Sequence, residues 1–321
     1  MPDKLEKRES LATTQPVSKT EKISETEEKV FKLLIPKHKE SAINMADARF
    51  KKLYGEEAVR RDKLNVESKK ARIKEEGSEP SKRAQILEAV LSEQIELSNW
   101  FGQEAMTIVP SEYDDIYHGI DSAIEFGNPN QEFQYLTMGL DVTSSSNFIE
   151  KKLRKIKSHI IDGSLTKMKY FISERNDSRP PGLNEKIPNT VIGVDKKAIQ
   201  ELSELWLTIN QGRQTNKQGL SPESIQSQKE RVKEAQKKLA EHRVQVMLLE
   251  QIEKQLVVFS EFAKKCGKDE IVKKYESLLE LVREVLKDKE ISDEDEEKNQ
   301  EDKVFKALDY ALQKFDDIPL E

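Results

Sequence analysis

A mixed α/β domain flanked by long helices is the fold class the sequence predicts, and three observations predict it. Between residues 84 and 215, segments with helical spacing alternate with short apolar runs, the pattern of a sheet covered by helices. Beyond that span, apolar residues recur every three or four positions amid charge, as in Val244, Met247, Leu248, Ile252, Leu256 and Phe259. Hydrophobic residues are only 36% of the 321 and charged residues another 36%, so part of the chain is expected to be extended or thinly packed.

Residues 1–25 are polar and poor in aromatics and should form a disordered tail, because they bury too little surface to offset ordering entropy. Residues 26–80 read as a helical N-terminal arm, with Val30, Phe31, Leu33 and Leu34, then Ile43, Ala46, Phe50 and Leu53. Pro36 should break the pattern, and "EEGSEPSKR" should be a linker.

Within 84–215, "AQILEAVLSEQIELSNWFGQEA" is an amphipathic helix with Ile86, Leu87, Val90, Leu91, Ile95 and Phe101 in one stripe. "DIYHGIDSAIEF" and "EFQYLTMGLDVT" read as two strands around the turn "GNPNQ". "NFIEKKLRKIKSHIIDG" returns to helical period and stops at a glycine. "LTKMKYFIS" and "NTVIGV" are strands, and "DKKAIQELSELWL" is an Asp-capped helix. Trp100, Trp206 and Phe171 fall in apolar periodic segments and belong to the core.

Residues 222–287 should form a helical hairpin or coiled coil turning at "KKCGKDE". Its apolar seam needs a cover, which raises the expectation of a homodimer through these helices. Residues 288–302 hold nine acidic and two basic residues and read as an acidic linker before a last helix in 303–321.

Composition also excludes. With 60 acidic against 54 basic residues the net charge is −6, so any attraction for nucleic acid must come from a local patch. One cysteine, Cys266, cannot form an internal disulfide, and four scattered histidines offer no zinc-ligand spacing; a cytoplasmic protein is expected. No window approaches the roughly 18 apolar residues that span a bilayer, and the amino terminus carries no apolar signal core, so neither a membrane span nor a secretory leader is expected.

The residues that suggest chemistry lie on "YLTMGLDVTSSSNFIEKKLRKIK". Strand alternation puts Leu136, Met138, Leu140 and Val142 on one face and Thr137, Gly139, Asp141 and Thr143 on the other. In the preceding strand Asp121, Ala123 and Glu125 share a face. Pairing the two strands would bring Asp121 and Asp141 together, and two close carboxylates need a shared proton or a divalent cation. Hard oxygen ligands favour Mg²⁺ or Mn²⁺. The bland alternative is that Asp141 caps the next helix through "DVTSSSN".

This order of elements, with "GID" opening one strand and "LDVT" closing the next before a basic helix, resembles the core of the PD-(D/E)xK nuclease superfamily over about residues 84–210. The resemblance implies a restriction-endonuclease-like core of helix, three strands, helix and strands, with long helical arms. It implies that Asp121 and Asp141 are the two metal-binding acids, with the Val142 carbonyl as a third ligand. Thr143 stands where that family carries its lysine, which leaves Lys151 or Lys152 on the following helix as a migrated replacement. These differ by about 100° around the helix, so at most one should point at the site. An acid from the first helix is also implied; Glu93 is the first candidate, ahead of Glu96, with Asp114 and Asp115 as others.

The implied activity is metal-dependent hydrolysis of nucleic-acid phosphodiester bonds, DNA first. The alternative is a nuclease fold that has lost turnover and only binds nucleic acid or protein. Seven bases, Lys151, Lys152, Arg154, Lys155, Lys157, Lys167 and Lys169, stand against Glu150 and Asp162. A solvated helix face is the default for such a run. Beside two acids it also fits a phosphate-binding surface led by Lys151, Lys155 and Lys157.

Overall fold

The computed structural model describes residues 22–77, 80–127, 135–174, 180–214 and 221–320. Most of the expected tail, the middle of the "EEGSEPSKR" linker, the turn after Gly127 and the gap before Ser221 therefore lie outside the described residues.

The chain is a mixed α/β structure dominated by helix. Helices α1 (Glu25–Glu40), α2 (Ala48–Tyr54), α3 (Glu56–Glu75) and α4 (Lys82–Ser98) precede strand β1 (Ala105–Ile108). Then come α5 (Glu112–His118), β2 (Ser122–Gly127), β3 (Tyr135–Thr143), α6 (Ile149–Asp162), β4 (Thr166–Phe171), β5 (Gly182–Ile187), β6 (Asn189–Gly193) and α7 (Lys196–Gln214). The chain ends with α8 (Pro222–Ala240), α9 (Val244–Lys265), α10 (Asp269–Lys287), α11 (Asp293–Glu301) and α12 (Lys303–Gln313).

The sheet runs in the order β1-β2-β3-β6, antiparallel from β1 to β3 and parallel between β3 and β6. A parallel neighbour requires a crossover, and α6 lies within the one between β3 and β6. β4 and β5 form a separate antiparallel pair. "DIYHGIDSAIEF" is not a single strand. Ser111 accepts the Asp114 amide, α5 forms, and Gly119 in the left-handed conformation (φ 67°) ends it before β2 begins.

The parallel join is tight. A Cβ on Gly193 would lie 2.2 Å from the Thr143 carbonyl oxygen, so only glycine permits this approach of β6 to β3. The outer edge of β6 is closed by two side chains one turn apart on α9. Gln255 accepts from the Val191 amide (2.8 Å) and donates to its carbonyl (2.7 Å), and Gln251 does the same at Gly193 (2.9 and 2.7 Å). Each glutamine imitates one residue of a neighbouring strand, so the edge offers no open ladder.

The flanking helices share the sheet's core. One buried cluster runs from Val30 in α1 through Ile86, Leu140, Ile156 and Ile192 to Leu248, Tyr275 and Phe305. Pro36 sits inside α1 without ending it: burial of Leu34 and Ile35, a Ser24–Glu27 capping box and the Arg83–Glu27 ion pair to α4 outweigh one lost amide. α9 and α10 pair as the expected hairpin, while α8 packs on α7 instead. Met247, Leu248, Ile252, Leu256 and Phe259 are fully buried against their own chain, so the seam that motivated a homodimer is already covered.

Residues 288–302 are not a linker throughout. Ser292 accepts the Asp295 amide and four acids occupy the first turn of α11, where the helix dipole favours them. Among the described residues, no helix is long and apolar enough to cross a membrane.

Candidate functional site

The β2–β3 ladder ends at Ser122 opposite Leu140. The Asp121 amide still donates to the Leu140 carbonyl (2.9 Å). Its side chain then replaces the next rung, Oδ2 accepting the Val142 amide at 2.6 Å. That amide belongs to the peptide joining Asp141 to Val142, so the Asp121 carboxylate lies at the backbone of Asp141, close enough for the Asp141 charge to act on it.

The third member comes from α6. The Lys152 ammonium forms an ion pair with Asp141 Oδ1 and donates to the Val142 carbonyl at 3.2 Å. Both partners of that pair are largely shielded from solvent, at 22% and 16% exposure, so the contact is less screened than a surface pair. Of the two candidate lysines, Lys152 enters the site and Lys151 is exposed. Asp141 is therefore not a helix cap; Ser145 caps the short turn at Ser146–Phe148 instead.

Burial and the neighbouring Asp141 charge hold the Asp121 carboxyl well above the ordinary carboxylate range; Lys152 opposes that shift, and Asp115 and Glu88 add to it. At the rim, Asp115 in α5 is likewise raised. Its residue surface is open to solvent, so water screens this effect more than the one at Asp121. Lys155, one turn beyond Lys152, donates to the His118 carbonyl at 2.8 Å. Its pKa is lowered by desolvation despite the attraction of Asp141 and Asp121.

Several expected residues do other work. Glu93 is not at the acids: its carboxylate accepts the Trp206 indole N–H at 2.6 Å. Glu96 accepts the Thr107 amide. The helix acid near the site is Glu88, whose charge bears on both Asp115 and Asp121, and which pairs with His38 of α1 at 3.0 Å. A glutamate lodged among Ile86, Leu87, Ala89 and Val90 was the available signal.

Lys157 is not on a phosphate-facing surface. It is buried, donating to the Asp316 and Ile318 carbonyls (2.7 Å each) to hold the C-terminal segment. Thr143 is buried in a local turn, accepting from the Ser145 amide and donating to its carbonyl. Asp114 is structural as well, bonded to His118 Nδ1 and to the Lys169 and Tyr170 amides.

Among the described residues, no three His, Cys, Asp or Glu side chains converge as a metal cage. The donor set is two carboxylates and a peptide carbonyl, which suits a hard cation that keeps several waters, Mg²⁺ or Mn²⁺, and not a fully protein-ligated ion. A divalent cation at these carboxylates would offset the Asp141 charge that, after burial, raises Asp121. No protein-family model matches the chain, nor does any curated protein or solved structure.

Proposed function

We propose that the chain is a metal-dependent nuclease that hydrolyses phosphodiester bonds of nucleic acid, DNA first. The observation that carries this reading is Lys152 on Asp141, with Asp121 bound to the peptide between Asp141 and Val142. Two acids and one lysine converge although the lysine comes from the next helix. The element order lends partial support: a helix, α4, precedes the antiparallel β1-β2-β3 and the basic helix α6 follows it, as the PD-(D/E)xK resemblance implies. However, α5 interrupts β1 and β2, and the next strands, β4 and β5, pair outside this sheet before β6 joins it.

Asp121, Asp141 and the Val142 carbonyl would hold Mg²⁺ or Mn²⁺. When bound, the cation lowers the pKa of a water and offsets charge on the phosphorane-like transition state. Lys152 supplies a positive charge for the attacking or leaving oxygen, and an ammonium in a half-buried site does this with little screening. Exposed Lys151, with Lys155 beside the acids, provides point charges for the phosphate backbone without base readout.

The rival reading, an inactive nuclease-fold module that binds nucleic acid or protein, rests on Thr143 in the family's lysine position. The test is cleavage of plasmid, branched DNA and RNA with Mn²⁺. Wild type is expected to cut at least one substrate, Asp121→Ala and Lys152→Ala to lose cleavage at saturating substrate, and Lys151→Ala to bind substrate more weakly while still cleaving it. No cleavage of any substrate by wild type would favour the inactive module.

A further inference from the structure

The site contains a conflict of occupancy. The position between Asp141 Oδ1 and the Val142 carbonyl, two of the three oxygens that would hold a divalent cation, is taken by the chain's own ammonium. Resting on the metal-site reading above, we infer that Lys152 has two positions. In the cation-free protein it fills the cation's place as a surrogate positive charge. On cation entry it is displaced toward the substrate phosphate.

Three observations support this. The Lys152 ammonium contacts both oxygens, so no cation of ordinary coordination radius shares the space with it. Lys152 closes the first turn of α6, and its flexible four-carbon stem lets the head group move while the backbone stays in place. A second lysine, Lys155, is anchored away from those two oxygens, on the His118 carbonyl, and does not compete for the same place.

The arrangement has a use. Without a counter-charge Asp121 and Asp141 repel, so a resident ammonium offsets that repulsion while the cation is absent. The same group is then present where phosphate charge develops. Binding of the cation and removal of the lysine from Asp141 become one exchange.

The consequence is a sign opposite to that expected for a lysine that only supports the site. Removing Lys152 should tighten cation binding while abolishing cleavage. The experiment measures Mn²⁺ affinity on the full chain by the electron paramagnetic resonance signal of free Mn²⁺, for wild type, Lys152→Ala, Lys152→Met and Lys155→Ala. Lys152→Met keeps the apolar stem and guards against a folding defect. Binding is expected to tighten roughly five- to tenfold in both Lys152 variants, the scale of a half-buried ion pair, and to change less than twofold in Lys155→Ala.

Unchanged or weaker binding in both Lys152 variants would overturn the exchange while leaving the metal site standing. Equal tightening in Lys155→Ala would also overturn it, because the effect would then be general charge. No Mn²⁺ binding by wild type or either Lys152 variant would remove both the exchange and the metal-site reading.

Discussion

Replacing Gln255 with Leu isolates the contribution of the closed sheet edge. The side chain is fully buried and satisfies both the amide and the carbonyl of Val191. Leucine refills most of the volume but leaves two backbone groups without partners, away from water. Each orphaned group costs about 1–3 kcal/mol, so the gross loss is about 2–6 kcal/mol. Burying leucine in place of an amide returns about 1–2 kcal/mol. The expected net destabilisation is about 1–4 kcal/mol, read from the urea midpoint at unchanged m. The double variant Gln251→Leu/Gln255→Leu should lose more and associate through the opened β6 edge in light scattering. A loss below about 0.5 kcal/mol in the single variant would refute the view that these glutamines act as strand surrogates.

Four further outcomes follow. Gly193→Ala should cost about 3 kcal/mol or more in thermal or urea unfolding, because its Cβ meets the Thr143 carbonyl oxygen at 2.2 Å and backbone must move. Arg83→Ala leaves Glu27 buried without its partner and should cost about 3–5 kcal/mol, whereas replacing both with apolar residues should recover most of it. Glu201 is pushed up by burial, but the neighbouring His242 ring at 3.6 Å and the hydrogen-bonded Arg243 guanidinium at 2.8 Å bring it down to about 2. Its folded pKa lies below the unfolded value, so its stabilisation is present above about pH 4.5 and is lost as pH falls toward 2. Glu201→Gln should therefore cost about 2 kcal/mol at pH 7, with the difference from wild type shrinking to nothing near pH 2. Nucleic-acid binding should weaken with salt and in Lys151→Ala, but Lys157→Ala should lower stability instead, because that lysine holds the Asp316 and Ile318 carbonyls.

The long helices and β3, β4 and β6 were legible because their apolar periods are unambiguous over enough residues. β1 and β5 carry no such period, being short segments whose pairing depends on distant partners. α5 was hidden by Ile116 and Ile120, which read as strand, although Ser111, Asp114 and Gly119 carried its caps. At the site, Asp121 and Asp141 followed from alternation, and a lysine on the first turns of α6 followed from helix rise. Glu93 failed because the face a helix acid presents is decided by packing, here against Trp206. Lys157 was readable in principle: it is four residues after Leu153 and three before Ile160, on the apolar side of α6. Counting charge along the run concealed that facing.

The proposed nuclease chemistry stands on a divalent cation held by Asp121 and Asp141 at the end of the β2–β3 ladder. Calorimetric titration of Mg²⁺ and Mn²⁺ into wild type and Asp141→Asn tests it most directly. Wild type should bind one cation saturably and the variant should lose about tenfold or more in affinity, since one of only two carboxylates is neutralised. Equal binding by both proteins, or none by wild type, would contradict it.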